Sequence, residues 1–313
     1  MSGSILRLGT RKSPMAMAQS AQVARMITER TGASVELVGF TTFGDVTRTD
    51  LAQLGGTGVF VSALRESLLA GEVDFAVHSL KDLPVAPMEG LVLAAVPPRD
   101  DPRDALAGRD GAKLADLPAG ARIGTGSPRR AAQLRLLRED LQPVPIRGNA
   151  GTRLGKVESG EVDAVMLAYA GLARIGRLDA VTQVFDPDEM LPAPGQGALA
   201  IECVSGSPLT DLLARVDNPL SRAAVTAERS LLAALEAGCS APVGAYAAGT
   251  ETLQLKAVVA EIDGGPAIRA SRSAPAHEAW RLGGDVAAEL LRRGAAGRVA
   301  KSSEFTTNVD EAT

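Results

Sequence analysis

Three segments place chemically capable side chains where a strand gives way to a helix or turn. VHSLKDLP, Val77 to Pro84, sets His78, Ser79, Lys81 and Asp82 directly after an apolar run, the strand end at which α/β sheets present active groups. A carboxylate there suits stabilising a cation or moving a proton. The plainer alternatives are that Asp82 caps a turn before Pro84 and that His78 is a satisfied core residue. GTRKSP from Gly9 and GTGSPRR from Gly124 each bring backbone amides and a hydroxyl to a helix start, where unpaired donors and the helix dipole favour an anion. Capping by Ser13 and Ser127 is the competing reading of both. Arg11 lies beside the first segment, Arg129 and Arg130 belong to the second, and IRGNAGTRLGK adds Arg147 and Arg153 around a further glycine-bearing turn. This is no P-loop, because the glycine spacing is wrong and Val157 follows Lys156; GTGSPR also lacks the third glycine of a dinucleotide fingerprint. Separated arginines suit separated carboxylates better than one polyphosphate, since each guanidinium grips a carboxylate with two parallel hydrogen bonds.

The charge distribution points the same way. The net charge of −4 over 313 residues hides a segment, 122–177, with nine Arg and one Lys against five acids, a local +5. Of 33 basic residues 27 are Arg, a skew that a biased genome would also produce, so position has to decide. Aromatic content of 3% leaves few stacking platforms for nucleobases. Two histidines and two cysteines without a CxxC or HExxH pattern exclude most zinc classes, and no metal site is expected. Cys239 follows Gly238 at the far end of a long helix, where carbonyls disfavour a thiolate, so it suits permanent attachment better than nucleophilic catalysis. Cys203, in the strand-like ALAIECV, reads as packing, and no disulfide is expected.

The elements behind these groups alternate. Ile5 to Thr10 reads as a strand, Ser13 and Pro14 open a helix that Gly32 ends, and Ser34 to Thr42 reads as the next strand. GGTG, Gly55 to Gly58, precedes a helix through about Ala70, then GEVDFAVHS and LVLAAVP are strands. Near-continuous apolar strands alternating with helices indicate a largely parallel sheet covered on both faces. The pattern restarts with a strand at Arg122 to Ser127, and GEVDFAV from Gly71 is echoed by GEVDAVM from Gly160. Two related α/β units joined by Pro- and Gly-rich crossings, with a cleft between them, are therefore expected. From Asn218 a long helix, three antiparallel strands and a last helix make a small α+β third domain, followed by a polar tail.

In their order, GTRKSP, VHSLKDLP, GTGSPRR, IRGNAGTRL, LPAPGQGALAIE, TAERSLL and EAGCSAPVGAY resemble the porphobilinogen deaminase (hydroxymethylbilane synthase) family, over about residues 5 to 246. The resemblance implies an α/β fold of two similar doubly wound lobes of periplasmic-binding-protein type plus a small α+β third domain. It sets domain 1 at 1–97 and 197–216, domain 2 at 103–191, domain 3 at 219–301 and the tail at 302–313. It implies a dipyrromethane cofactor held by a thioether to Cys239, a catalytic role for Asp82, and cofactor or substrate binding by Arg11, Ser13, Lys81, Thr125, Ser127, Arg129, Arg130, Arg147, Arg153 and Arg174. The implied transferase condenses four porphobilinogen molecules, with loss of ammonia through an azafulvene, in tetrapyrrole (haem-type) biosynthesis. Thr57 and Ser62 stand where many relatives carry Lys, so no binding role passes to them.

With no h-region behind the N-terminus and no long apolar run, a cytoplasmic protein that engages no membrane is expected. The implied protein is a monomer whose partner is the small substrate, not nucleic acid. A periplasmic solute receptor would need an export signal and no Cys239; an RNA-binding protein would interleave aromatics with the arginines, yet only Tyr169 lies between 122 and 177.

Overall fold

The structure is a computed structural model and describes residues 5–40, 58–238 and 241–300. Cys239, Gly55, Gly56, Thr57 and the tail 302–313 lie outside the described residues.

Along the chain, β1 (Leu6–Arg11), α1 (Pro14–Thr31), β2 (Val35–Phe40), α2 (Gly58–Leu69), β3 (Phe75–Ser79) and β4 (Leu91–Ala95) come first. They are followed by β5 (Asp104–Gly108), β6 (Arg122–Gly124), α3 (Pro128–Leu137), β7 (Gln142–Val144), α4 (Ala150–Glu158), β8 (Ala164–Ala168), α5 (Tyr169–Arg174) and β9 (Gln183–Val184). Last come β10 (Leu199–Val204), α6 (Leu209–Ala214), α7 (Pro219–Ala234), β11 (Val243–Gly249), β12 (Thr252–Val259), β13 (Ile268–Pro275), α8 (Ala279–Arg292) and α9 (Ala296–Ala300). Two compact units result: Met1–Asp100 with Ala198–Ala223, and Asp101–Gly197 with Ala224–Thr313. The second unit contains the third sheet as well as the second.

The first unit's sheet has the order β2-β1-β3-β10-β4, and the second unit's has the order β7-β6-β8-β5-β9. Strand for strand these are one topology, which gives the GEVD echo a structural meaning. Gly71 and Gly160 both take the left-handed backbone that glycine tolerates, at φ 71° and 79°, in the turn from helix to strand. The aspartate of each echo then reaches its neighbouring strand: Asp74 accepts from the Arg7 amide at 2.7 Å, and Asp163 from the Arg122 amide at 2.8 Å.

The sheets are mixed, where the sequence suggested largely parallel ones. β1, β2 and β3 are parallel, as are β6, β7 and β8, but β10 runs antiparallel to β3 and β4, and β5 to β8 and β9. Parallel neighbours need a crossover, usually a helix. β5 and β10 instead follow non-helical segments at which the chain passes from one unit into the other.

Each face of the first sheet is packed: Leu6, Leu8, Val23, Ile27, Phe75 and Ile201 on the α1 side, and Leu64, Leu68, Val73 and Ala76 on the α2 side. Helix α1 forms as its sequence reads: Ser13 accepts from the Ala16 amide at 3.2 Å, Pro14 occupies the first turn, and Gly32 closes it at φ 74°. The second sheet is sandwiched alike, with Leu106, Ile123, Leu134, Met166 and Phe185 on one face and Ile146, Leu154, Val165 and Leu172 on the other.

The third sheet, β11-β12-β13, is an antiparallel meander. Helix α8 lies against α7 so closely that a Cβ at Gly283 would come within 2.3 Å of the Ala227 carbonyl oxygen. From α7 the buried Glu228 carboxylate accepts the amides of Gly195 at 2.6 Å and Ala247 at 2.9 Å, tying PAPGQG to β11.

Among the described residues, each unit holds a buried ionic cluster. In the first, Arg65 on α2 grips Glu202 on β10 with two hydrogen bonds of 2.8 and 2.9 Å, and His78 Nε2 lies 3.2 Å from the same carboxylate. Burial alone would raise the Glu202 pKa, but His78 and Arg65 outweigh it and hold it at about 2, below the ordinary 4.5. A carboxyl depressed in the folded state stabilises above its unfolded pKa, and that stability drains away as pH falls toward the folded value. Native unfolding free energy is therefore expected to fall steeply between about pH 4.5 and pH 2, and Glu202→Gln to have a shallower slope over that window. Equal slopes in urea titrations across this window would contradict the linkage.

Candidate active site

The edge of the first sheet at which β1 and β3 end gathers part of the expected site. These strands are adjacent and parallel, pairing Leu8 with Phe75. Arg11 ends β1, Ser13 caps α1 just beyond, and Leu80–Asp82 is a single 3-10 turn directly after β3. Leu80 anchors that turn: its side chain is buried, its amide donates to the Ala198 carbonyl at 3.0 Å, and its own carbonyl accepts from Leu83 at 3.1 Å. Beyond this fixed first residue, Lys81 is half-buried and Asp82 exposed. His78, on β3 just before this turn, is buried beside Glu202.

In the second unit, the ends of β6, β7 and β8 present the arginine-rich segments. Thr125 is buried after β6, its hydroxyl accepting from the Ser127 amide at 3.1 Å, and Ser127 in turn caps α3 by accepting from the Arg130 amide at 3.4 Å. Both Ser-Pro hydroxyls thus act as helix caps. Arg147 follows β7 and is exposed, Arg153 lies on α4, and Arg174 ends α5 with one donor on the Gly197 carbonyl at 2.7 Å.

Arg129 and Arg130 are placed differently from the sequence expectation. Both are buried and turned inward onto Asp104, the first residue of β5: Arg129 Nη1 is 2.6 Å from Oδ2, and Arg130 reaches Oδ1 at 2.7 Å through Nη2 and 3.0 Å through Nε. Gln196 Nε2 adds a bond to Oδ1 at 2.8 Å. Burial opposes the Asp104 charge, but the two guanidinium groups outweigh it and hold its pKa far below the carboxylate range. Arg129 also donates to the Leu191 carbonyl at 2.6 Å, and Gln133 brackets Leu191 through both its carbonyl and its amide. This pair therefore braces the crossing segment from inside. Asp104 and Gln196 escaped the sequence reading because their partners are distant in the chain; a lone acid opening an apolar strand was the available signal.

Arg153 has the opposite balance. Its Nε donates to the Gly148 carbonyl at 2.9 Å, and a Cβ placed on Gly126 would lie 3.9 Å from its Nη2, so its guanidinium adjoins the Gly-Ser turn. Burial, and then the nearby Arg130 charge, push its pKa down to about 10. A cation disfavoured by its setting is stabilised when an anion arrives. One buried carboxylate neutralises one of the two inner arginines, and Arg153 remains for a ligand. This donor set fits a polycarboxylate such as a chain of carboxylate-bearing pyrroles. Among the described residues, no helix is long and apolar enough to cross a membrane.

Comparisons with known proteins give the family. Residues 6–211 match the family profile "Porphobilinogen deaminase, dipyromethane cofactor binding domain", and residues 222–292 match "Porphobilinogen deaminase, C-terminal domain". Porphobilinogen deaminase of Thermobifida fusca is 62% identical over 307 residues, covering 94% of this chain and 96% of that protein. Porphobilinogen deaminase 1 of Streptomyces coelicolor is 56% identical over 97% of this chain and 100% of its own length, and the Mycobacterium tuberculosis protein 52% over 93% and 97%. Among solved structures, the methionine binding protein MetQ aligns at 11% identity and a TM-score of 0.44, covering 68% of this chain and 89% of its own. A periplasmic substrate-binding protein of Coxiella burnetii aligns at 15% and 0.42, covering 72% and 96%. The assignment rests on the sequence matches and not on these distant likenesses: the chain belongs to the porphobilinogen deaminase family, and its larger part is that family's dipyrromethane cofactor binding domain.

Proposed function

We propose that the chain is a transferase that joins four porphobilinogen molecules head to tail onto a dipyrromethane primer held by Cys239, and releases the linear tetrapyrrole hydroxymethylbilane by hydrolysis. The observation that carries this reading is the match to both family domains over nearly the whole chain, and Arg153, half-buried beside Arg130 with its pKa lowered to about 10, is a cation suited to a substrate carboxylate. When bound, the dipyrromethane supplies the free α-carbon to which the first substrate is joined. Each addition breaks the aminomethyl C–N bond with loss of ammonia, forms one C–C bond, and releases the α-proton. Asp82 stabilises the positive charge that appears on the substrate as ammonia leaves and accepts pyrrole N–H bonds; its exposed carboxylate on a fixed turn is suited to both. Arg11, Ser13 and Lys81 bind carboxylates near that turn, and Arg147, Arg153, Arg174 and Ser127 do so in the second unit, where the buried Thr125 hydroxyl serves by holding the Ser127 amide. Arg129 and Arg130 contribute by holding the second-unit edge in shape and by adding net positive charge. The protein works as a cytoplasmic monomer on this small substrate, without nucleic acid or membrane.

Lys substitutions separate the two kinds of arginine. Arg153→Lys keeps the charge and loses the planar fork, at a cost of about 1 to 3 kcal/mol per charge-assisted contact to the ligand. Turnover should fall, with enzyme–substrate intermediates accumulating, while the melting temperature stays within error of native. Arg129→Lys should instead lower the melting temperature, because it disturbs the buried pairing with Asp104. The exposed Arg292→Lys on α8 should change neither and serves as control. If Arg153→Lys behaves like Arg292→Lys in steady-state assays and intact-mass spectra, Arg153 does not hold the substrate chain.

A further inference from the structure

The Arg65–Glu202–His78 cluster lies directly behind the turn that carries Lys81 and Asp82. Each member is at most 7% exposed, so none touches a ligand in solvent. Such a trio is a poor way to obtain stability. Desolvating ions offsets most of their attraction, and buried ion pairs replaced by well-packed apolar residues often leave a protein equally or more stable. What these contacts do supply is register.

His78 and Glu202 are diagonal neighbours on β3 and β10, since Ala200 pairs with His78 and Glu202 with Ala76. They share the α2 face of the sheet with Ala76, and Arg65 closes the cluster from α2 itself. The same strand β10 follows Ala198, whose carbonyl holds the Leu80 amide at the start of the Asp82 turn. A shift of β10 against β3 would therefore carry the anchor of that turn with it. On the other side of β10, the pairing with β4 shifts register between Ile201 and Glu202, next to the cluster. Two titratable groups face this carboxylate, Arg65 from the helix and His78 from the strand.

We propose that Arg65, Glu202 and His78 are positioning residues that lock β3, β10 and α2 in one register and thereby set where Asp82 stands for the condensation. The inference rests on the assignment of Asp82 above. It goes beyond that assignment in giving a kinetic role to three residues that never meet substrate.

The test is an apolar replacement of the whole cluster, Arg65→Met, His78→Leu and Glu202→Leu together, in the full-length protein. The lock predicts a folded protein with a melting temperature no lower than native, a full cofactor mass and a KM within about two-fold of native, but a kcat reduced at least about ten-fold, as expected when a reacting group is misplaced. A stable triple variant with native kcat overturns it. Should the triple variant fail to fold, His78 alone decides. His78→Leu should be slow, and His78→Gln, which keeps a donor within reach of Glu202, should recover most of kcat at unchanged KM. Equal kcat for those two variants overturns the lock as well. Asp82→Asn in the same assay keeps the two ideas apart: if it is inactive while the triple variant turns over normally, only the lock fails; if it is active, the Asp82 assignment itself fails.

Discussion

Cys239→Ser is expected to yield a folded protein lighter than native by two linked pyrrole units and without measurable turnover, while Cys203→Ser keeps both the added mass and the activity. The contrast comes from the burial of Cys203 and from the motif that carries Cys239. Cys203 is fully buried in β10, its Sγ 3.6 Å from the Thr210 hydroxyl, and burial pushes its thiol pKa up. A buried, protonated thiol neither reacts nor reaches a growing chain. Cys239 follows the exposed Gly238 in the segment between α7 and β11 and stands at the cysteine of the EAGCSAPVGAY motif. The loss of primer removes the starting α-carbon for every later addition, so the effect on turnover should be total. Active native protein whose intact mass equals its bare sequence would sink the attachment, and so would a Cys239→Ser protein that retains the addition.

Asp82→Asn should lower kcat by roughly 10²-fold or more, the usual cost of deleting one electrostatic group that acts on developing charge. The amide keeps an acceptor for pyrrole N–H groups and removes the negative charge, so KM should move little. Because the carboxylate is exposed and the turn is held by Leu80 rather than by Asp82, the melting temperature should not change. Stopped-flow and steady-state rates on a cofactor-loaded Asp82→Asn protein decide it: near-native turnover would return Asp82 to the status of a turn residue.

What could be read from the sequence was local. Ser13 with Pro14 and Ser127 with Pro128 form the helix starts they spell, because capping is settled within four residues. The GEVD echo was legible for the same reason, since its glycine and aspartate act on a neighbouring turn and strand. The directions of β5 and β10 were not, because a strand that arrives from the other unit carries no local mark of its polarity. The arginine pair shows the limit most clearly. Arg129 and Arg130 look like substrate ligands beside Ser127 in the chain, yet Asp104, 25 and 26 positions away, claims both of them in the folded unit. Arg153 looks the same in sequence and lacks such a partner carboxylate in the geometry described here, a distinction that only burial and neighbouring charge reveal.

On the proposed function, substrate is built, one ring at a time, onto a primer covalently held by this chain. Intact-mass spectra of the native protein, taken before and shortly after adding a few equivalents of porphobilinogen, test it most directly. The starting mass should exceed the sequence by two pyrrole units, and substrate should add a ladder of one, two and three further units that maps to the peptide containing Cys239. A spectrum that stays at the bare sequence mass before and after substrate, in protein that nonetheless consumes porphobilinogen, would contradict the claim.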